Sequence, residues 1–267
     1  MALLAVTAVP ARQKHDLVIL HVNDTHSHLD PERNGSGGVI ERAAFADSVR
    51  KAEGRRNVLL LHAGDFEQGT PYFTLLKGDL ECNLLNAMEY DCVTLGNHEF
   101  DNGIEELGRR LALIKCPIVC ANYDFSPFEM GKYIKPWTIV RKAGMKIGII
   151  GILCNLDGMV SKETSSRIPQ LDAVKVVNQH AAYLKDIERC DLVILLSHAG
   201  YTGYEGDETL NDRALVPQIS NVDCIVGGHS HTKLREPGFV NDATGRPVPI
   251  VQDWCFGREV GKIVFSK

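Results

Sequence analysis

Residues 58–65, Val58-Leu59-Leu60-Leu61-His62-Ala63-Gly64-Asp65, run apolar on successive positions and then stop at a glycine and a carboxylate. Successive side chains of a strand point to opposite faces, so a strand covered on both faces is apolar at every position. Residues 58–61 therefore read as an inner strand with polar residues gathered just past its carboxyl end. The same reading applies to residues 17–22, 92–95, 118–120, 147–153, 192–196, 224–226, 248–251 and 262–265.

Between these runs the apolar period changes to three and four, which marks amphipathic helices. Phe73, Leu76, Leu80, Leu84 and Ala87 form one stripe; Ile104, Leu107, Leu111 and Ile114 form a second. Leu171, Val174, Val177, Ala181, Leu184 and Ile187 form a third, following Pro169, with His180 read as solvent-facing. Strands alternating with helices predict an α/β fold. Residues 32–38 and 201–207 are Gly-punctuated loops, and no internal repeat or long linker divides the chain, so one domain over residues 16–267 is the simplest organisation.

The chain has 267 residues, 44% hydrophobic and 24% charged, enough to bury a large core without disulfides. Its 29 basic and 34 acidic residues leave a net charge of -5 with no long like-charged block, which is no footprint for a nucleic-acid backbone and favours a small substrate. No apolar run reaches the roughly 18 residues of a membrane-spanning helix. Residues 1–11 resemble the apolar region and small-residue end of a secretory signal without a preceding Lys or Arg. Residues 1–15, His15 included, therefore read either as a signal remnant or as an apolar tail. The eight cysteines form no CxxC pair, and Cys92, Cys120 and Cys224 lie in apolar runs as inert thiols.

Five of the apolar runs are followed by metal-ligand residue types: Asn23-Asp24-Thr25-His26, Gly64-Asp65, Gly96-Asn97-His98-Glu99, Ser197-His198 and Gly227-Gly228-His229-Ser230-His231. Ligands of open α/β sheets bind outside the carboxyl ends of the strands, so five strand ends deliver these side chains to one crevice. Two carboxylates, one amide and four imidazoles suit divalent transition metals and not a thiolate or an all-oxygen calcium site. Seven ligands exceed one tetrahedral ion and match two ions about 3.5–4 Å apart that share a carboxylate, the arrangement that hydrolyses phosphate esters.

The ordered motifs DTH, GDFEQGTPYF, LGNHEFDNG, SHAGY and GGHSHT resemble those of the calcineurin-like metallophosphoesterases. GTPYFTLLKGD and YDCVTLGNHEFDNG are similar to the bacterial 5'-nucleotidase and UDP-sugar hydrolase branch, and the likeness runs from Leu17 to Phe265. The resemblance implies a sandwich of layered sheets flanked by helices (α/β/β/α). It implies that Asp24, His26 and His231 hold one metal, that Asn97, His198 and His229 hold the other, and that Asp65 bridges. His231 departs from the branch, where that position can be Gln, and enriches the first site in nitrogen. The implied ions are two divalent metals among Mn, Zn, Fe and Co.

His98 is not assigned as a ligand, because Asn97 uses the same strand end and adjacent side chains diverge. Asp101, three residues on, is placed to orient the imidazole and favour its cation; in the family such a dyad faces the leaving group. The implied chemistry is in-line attack by a metal-bridging hydroxide, with His98 serving the departing alkoxide and no covalent phosphoenzyme. Nucleoside 5'-monophosphates are the expected substrates. A diester of the 2',3'-cyclic-nucleotide or nucleotide-sugar kind is the enzymatic alternative, and a metal-binding subunit that needs a partner is the non-autonomous one. Two-domain relatives continue into a C-terminal substrate-binding domain, so a separate such domain is an expected partner. The resemblance and the signal-like start together point to the periplasm or the cell exterior.

Taken singly, an Asp or His at a strand end is most often a turn or cap residue. On that basis His21, His28 and His62 read as satisfied structural neighbours. Gly64, Gly96, Gly227 and Gly228 are either turn glycines or sites of close backbone approach. Asn122 reads as a crevice or turn residue, and Trp254 either as core or as a face for a substrate base.

Overall fold

The computed structural model describes residues 16–203 and 210–266. The signal-like start, His15 and residues 204–207 of the second loop lie outside the described residues. The elements are, in chain order, β1 (Leu17–Val22), α1 (Val39–Glu53), β2 (Val58–His62), α2 (Pro71–Leu76), α3 (Asp79–Ala87), β3 (Cys92–Thr94), α4 (Ile104–Leu111), β4 (Ile118–Val119), β5 (Ile134–Lys135) and β6 (Trp137–Lys142). They continue with β7 (Met145–Leu153), α5 (Lys162–Ser165), α6 (Ala173–Asp186), β8 (Leu192–His198), α7 (Asp212–Leu215), β9 (Cys224–Val226), β10 (Gly238–Asn241), β11 (Pro247–Val251) and β12 (Gly261–Phe265).

Two six-stranded sheets result, ordered β12-β1-β2-β3-β4-β5 and β10-β11-β9-β8-β7-β6. In the first sheet β1 to β5 are parallel and β12 joins β1 antiparallel. In the second, β7, β8, β9 and β11 are parallel, with antiparallel β6 and β10 at the edges.

Strand parity explains the unbroken apolar runs. Leu17, Ile19, Leu59 and Leu61 point between the sheets, where they meet Ile147, Ile149, Ile194, Leu196 and Val226. Val18, Leu20, Val58 and Leu60 point the other way, into the layer closed by α1, α3 and α4. Ile150, Ile152, Val193 and Leu195 of the second sheet face Val177, Ala181 and Leu184 of α6. The expected four layers of helix, sheet, sheet and helix are thus present.

Three readings of the helices need correction. The stripe from Phe73 to Ala87 is two helices, because Lys77 (φ 57°) and Gly78 (φ 92°) turn the chain into the left-handed region. Leu75 and Leu76 are consequently exposed, and α3 buries Cys82 and Leu85 in place of Leu84 and Ala87. In α6 the centre of the stripe is buried, but Leu171 and Ile187 fall outside the helix and are exposed, and His180 is half-buried. The helix start is set by Asp172, whose carboxylate accepts the Lys175 N–H at 3.0 Å.

Elements absent from the sequence reading are those that lack a clean apolar pattern. The inner face of α1 includes Arg42 and Arg50. Edge strands β6 and β10 are half exposed, with Phe239 open to solvent. Among the described residues all eight cysteines are free, and burial pushes the Cys120 and Cys224 thiols up to about 12, as inert thiols require. Among the described residues no helix is long and apolar enough to cross a membrane.

Candidate metal centre

Because β1, β2 and β3 are parallel, as are β8 and β9, their carboxyl ends open at one rim of the two sheets. Asp24 and His26 leave β1, Asp65 leaves β2, Asn97 and His98 leave β3, His198 closes β8, and His229 and His231 follow β9. Two groups of ligand atoms form there, each with its members within 4.8 Å of one another: Asp24, His26 and His231, and Asp65, His198 and His229. Six of the seven expected ligands are thereby brought together as two triads. The seventh, Asn97, is buried at the end of β3, with its amide oxygen receiving the Cys154 thiol at 3.6 Å.

Asp65 Oδ2 faces His198 Nε2 at 3.1 Å and His26 Nε2 at 3.8 Å, so it stands between the groups. Asp24 Oδ1 lies 3.4 Å from His231 Nε2 and 3.9 Å from His198 Nε2. His98 stands closer to the cluster than the divergence of adjacent side chains suggested, since His26, Asp65 and His98 form a third group of the same size. The Nδ1 of His98 pairs with Asp101 Oδ2 at 2.9 Å, as expected, which leaves Nε2 to face the centre.

The site is held open by strain and by missing side chains. Asp24, His26, Asp65, His229 and His231 all adopt positive φ, between 46° and 77°. Such residues cost about 1–3 kcal/mol each and persist where the surroundings over-determine them. Gly96 is required by close approach, since a Cβ there would stand 2.1 Å from Asp65 Oδ1. Gly64 (φ 85°) is required on both counts, its Cβ position lying 2.6 Å from His198 Nδ1.

The donor set fits divalent cations. His198 Nδ1 lies 2.6 Å from the Ala63 carbonyl and must carry a proton to bond it. A neutral ring then turns its Nε2 lone pair, buried and without a hydrogen bond, toward the Asp65 carboxylate. Two acceptors face one another, as do His26 Nε2 and His231 Nε2 at 3.0 Å, where at most one can donate. A cation between them relieves both contacts.

Protons can serve instead. Burial lowers the pKa of His198, but Asp65 and Asp24 outweigh it and raise the ring to about 9. Burial likewise opposes charge on His231, which its hydrogen bond to Asp24 lifts to about 10. His229, with burial and the His198 charge acting together, falls to about 4. Burial works to raise Asp65, yet His198 and its hydrogen bond hold it well below the usual carboxylate range. Burial also works against His98, but the Asp101 hydrogen bond leaves its pKa raised. Cations held by the triads would displace protons from His198 and His231, so binding would release acid.

Several contributors were not among the candidate ligands. Asn23 Nδ2 donates to Asp24 Oδ2 at 2.6 Å and to the Trp254 carbonyl at 2.7 Å, joining β1 to the loop after β11. Phe256 sets its ring 5.7 Å from His26 and 5.6 Å from His231, and His28 stacks on it at 4.3 Å. The Glu99 carboxylate collects four backbone N–H groups from two ligand-bearing loops. Glu99 lay inside a recognised motif, but its long-range partners could not be read there.

Trp254 is neither core nor an open stacking face, because Lys233 Nζ lies over its ring at 4.6 Å and Arg258 Cζ at 4.7 Å. Asn122 is neither a crevice nor a turn residue. Its amide clamps the Leu153 backbone, donating to the carbonyl at 2.7 Å and accepting from the N–H at 2.9 Å. His62 pairs with Thr25 Oγ1 at 3.2 Å, while its Nδ1 and that of His21 have no hydrogen-bond partner, so the satisfied reading holds for His62 on one side only.

The family model described as calcineurin-like phosphoesterase matches residues 17–233. The chain belongs to that family. Among its calcineurin-like relatives, "Protein 5NUC" of Lutzomyia longipalpis is 32% identical over 98% of this chain and 49% of its own length. The 5'-nucleotidase of Rattus norvegicus is 31% identical over 97% of this chain and 48% of its own. The crystal structure of a 5'-nucleotidase precursor from Thermus thermophilus superposes with a TM-score of 0.81 at 30% identity, over 93% of this chain and 51% of that one. The chain spans about half the length of the curated relatives it matches.

Proposed function

We propose that residues 16–267 form one catalytic domain that hydrolyses phosphate monoesters, with nucleoside 5'-monophosphates as substrates. The observation that carries this reading is Asp65 Oδ2, which faces His198 of its own triad at 3.1 Å and His26 of the other at 3.8 Å and so stands where both sites could share it. Asp24, His26 and His231 would hold one divalent cation, Asn97, His198 and His229 the other, with Asp65 shared. The nitrogen-rich donors favour Mn, Zn, Fe or Co. When bound, such a pair supplies Lewis acidity toward the phosphoryl oxygens and lowers the pKa of water.

The chain's own residues do the rest. His98, its Nδ1 bonded to Asp101 and its cation thereby favoured, holds a proton on Nε2 for the departing alkoxide. Phe256 packs against His26 and His231 and limits the orientations open to those rings. The nucleotide specificity rests on the names of the relatives, and a substrate-binding domain corresponding to the half that this chain does not span is the proposed partner. A periplasmic or extracellular setting is supported by the relative described as a precursor.

The test is phosphate release from 5'-AMP by protein stripped with chelator and resupplied with Mn²⁺ or Zn²⁺. Release is expected only after resupply, and full release from metal-free protein would refute the two-metal reading. His98→Asn is expected to lower kcat by about 10²–10⁴-fold while two metals per chain remain bound. Loss of a metal from that variant would make His98 a ligand in place of an acid.

A further inference from the structure

We propose that Glu99 is a positioning residue of the metal centre, its carboxylate clasping the Asp65 and Asn97 loops in their ligand-bearing arrangement before any cation arrives. The inference rests on Asp65 being the shared ligand. Glu99 is completely buried. Its Oε2 accepts the Asp65 N–H at 3.0 Å and the Gly96 N–H at 2.5 Å, and its Oε1 accepts the Phe66 N–H at 2.8 Å and the Glu67 N–H at 3.2 Å.

Three successive N–H groups turned toward one anion form a concave cradle. That cradle exists because Gly64 and Asp65 take positive φ, 85° and 53°, a turn that ordinary backbone resists. The fourth N–H comes from the other loop, so one carboxylate ties the ends of β2 and β3 together. The clasp is reciprocal, since Asp65 Oδ1 accepts the His98 N–H at 2.9 Å. From outside, Arg110 of α4 donates to the Glu99 carbonyl at 2.7 Å and fixes the residue's own backbone. Glu99 belongs to none of the three groups of ligand atoms, so its effect on a cation runs through Asp65 and Asn97.

Glu99→Gln keeps the shape but puts an NH₂ against N–H donors that need an acceptor, and the cradle opens. Loss of such an outer partner weakens metal binding by about 10–100-fold. The experiment titrates Mn²⁺ into the chelator-stripped full chain, for wild type, Glu99→Gln and Asp65→Asn. Free Mn²⁺ and the spin-coupled dimanganese signal are read by electron paramagnetic resonance, and metal-free thermal unfolding is recorded alongside.

Wild type is expected to bind two Mn²⁺ with a coupled signal. Glu99→Gln is expected to bind both about 10–100-fold more weakly, with the coupled signal appearing only at correspondingly higher Mn²⁺. Wild-type Mn²⁺ affinity in Glu99→Gln, whether or not its unfolding midpoint falls, overturns the proposal and leaves Glu99 a purely structural residue. If Glu99→Gln does not fold, Glu99→Asp, which keeps the charge but is one methylene shorter, decides by the same comparison. Fewer than two Mn²⁺ on the wild type would instead sink the two-metal reading of the site, whatever Glu99 does.

Discussion

Asp65→Asn is expected to remove phosphate release almost completely, lowering kcat/KM by about 10³-fold or more, or roughly 4 kcal/mol of barrier, and to weaken both metal sites together. The carboxylate does two things at once. Its Oδ1 accepts the His98 N–H at 2.9 Å, and its Oδ2 faces His198 and His26. An asparagine that keeps the first bond with its oxygen must present an NH₂ at the second position, where two bound cations would need a lone pair that the NH₂ does not offer. On the two-metal reading, neither ion would then have its shared ligand.

A ligand that binds only the folded state stabilises it by RT ln(1 + [L]/Kd), so the wild type should unfold at a higher temperature with Mn²⁺ present. Asp65→Asn should lose that increment, which thermal unfolding with and without metal measures. Retention of the full increment together with wild-type turnover would mean that Asp65 is not the shared ligand.

Arg110→Ala is expected to have the largest effect on stability, about 3–5 kcal/mol by urea unfolding at pH 7.5. Arg110 is completely buried and grips Glu67 with two nitrogens, at 2.8 Å and 2.7 Å. Truncation leaves Glu67 buried beside Glu99 with no countercharge, and removing one partner of a buried pair exposes the full desolvation cost of the other. Glu67 can escape only by taking up a proton, since burial already pushes its pKa well above the usual carboxylate value.

The sign of the pH dependence follows. With its folded pKa above the unfolded one, Glu67 favours the folded state at low pH and loses that contribution as pH rises, so the deficit should shrink as pH falls toward 5. The double variant Arg110→Met, Glu67→Met should recover most of the loss. A single-variant cost below about 1 kcal/mol, the range of an exposed pair, would contradict the assignment.

What could be read in the chain was whatever local chemistry imposes on neighbouring residues. The runs that became β1, β2, β7, β8 and β9 are apolar at nearly every position because helices cover one face and a second sheet the other. Ligand types stood at the ends of β1, β2, β3, β8 and β9 because parallel strands release their side chains on one rim, and the His98–Asp101 pair was legible because the two stand three positions apart, the spacing of one helical turn. Helix α1 escaped because its inner face uses Arg42 and Arg50, whose nitrogens bond backbone carbonyls of distant loops. The stripe across Phe73 to Ala87 misled because apolar spacing is blind to the left-handed turn at Lys77 and Gly78.

The sequence by itself thus determined the α/β class and the identity of the candidate ligands, since both follow from periodicity and residue chemistry over a few positions, while the four-layer arrangement came with the motif resemblance. Only the tertiary structure decided how those ligands divide into two triads, that Asp65 lies between them, that His98 reaches the same cluster, and that Glu99 clasps two loops. These depend on distances between residues that lie from about thirty to two hundred positions apart in the chain. Such distances are set by the packing of one sheet on the other, and no local pattern encodes them.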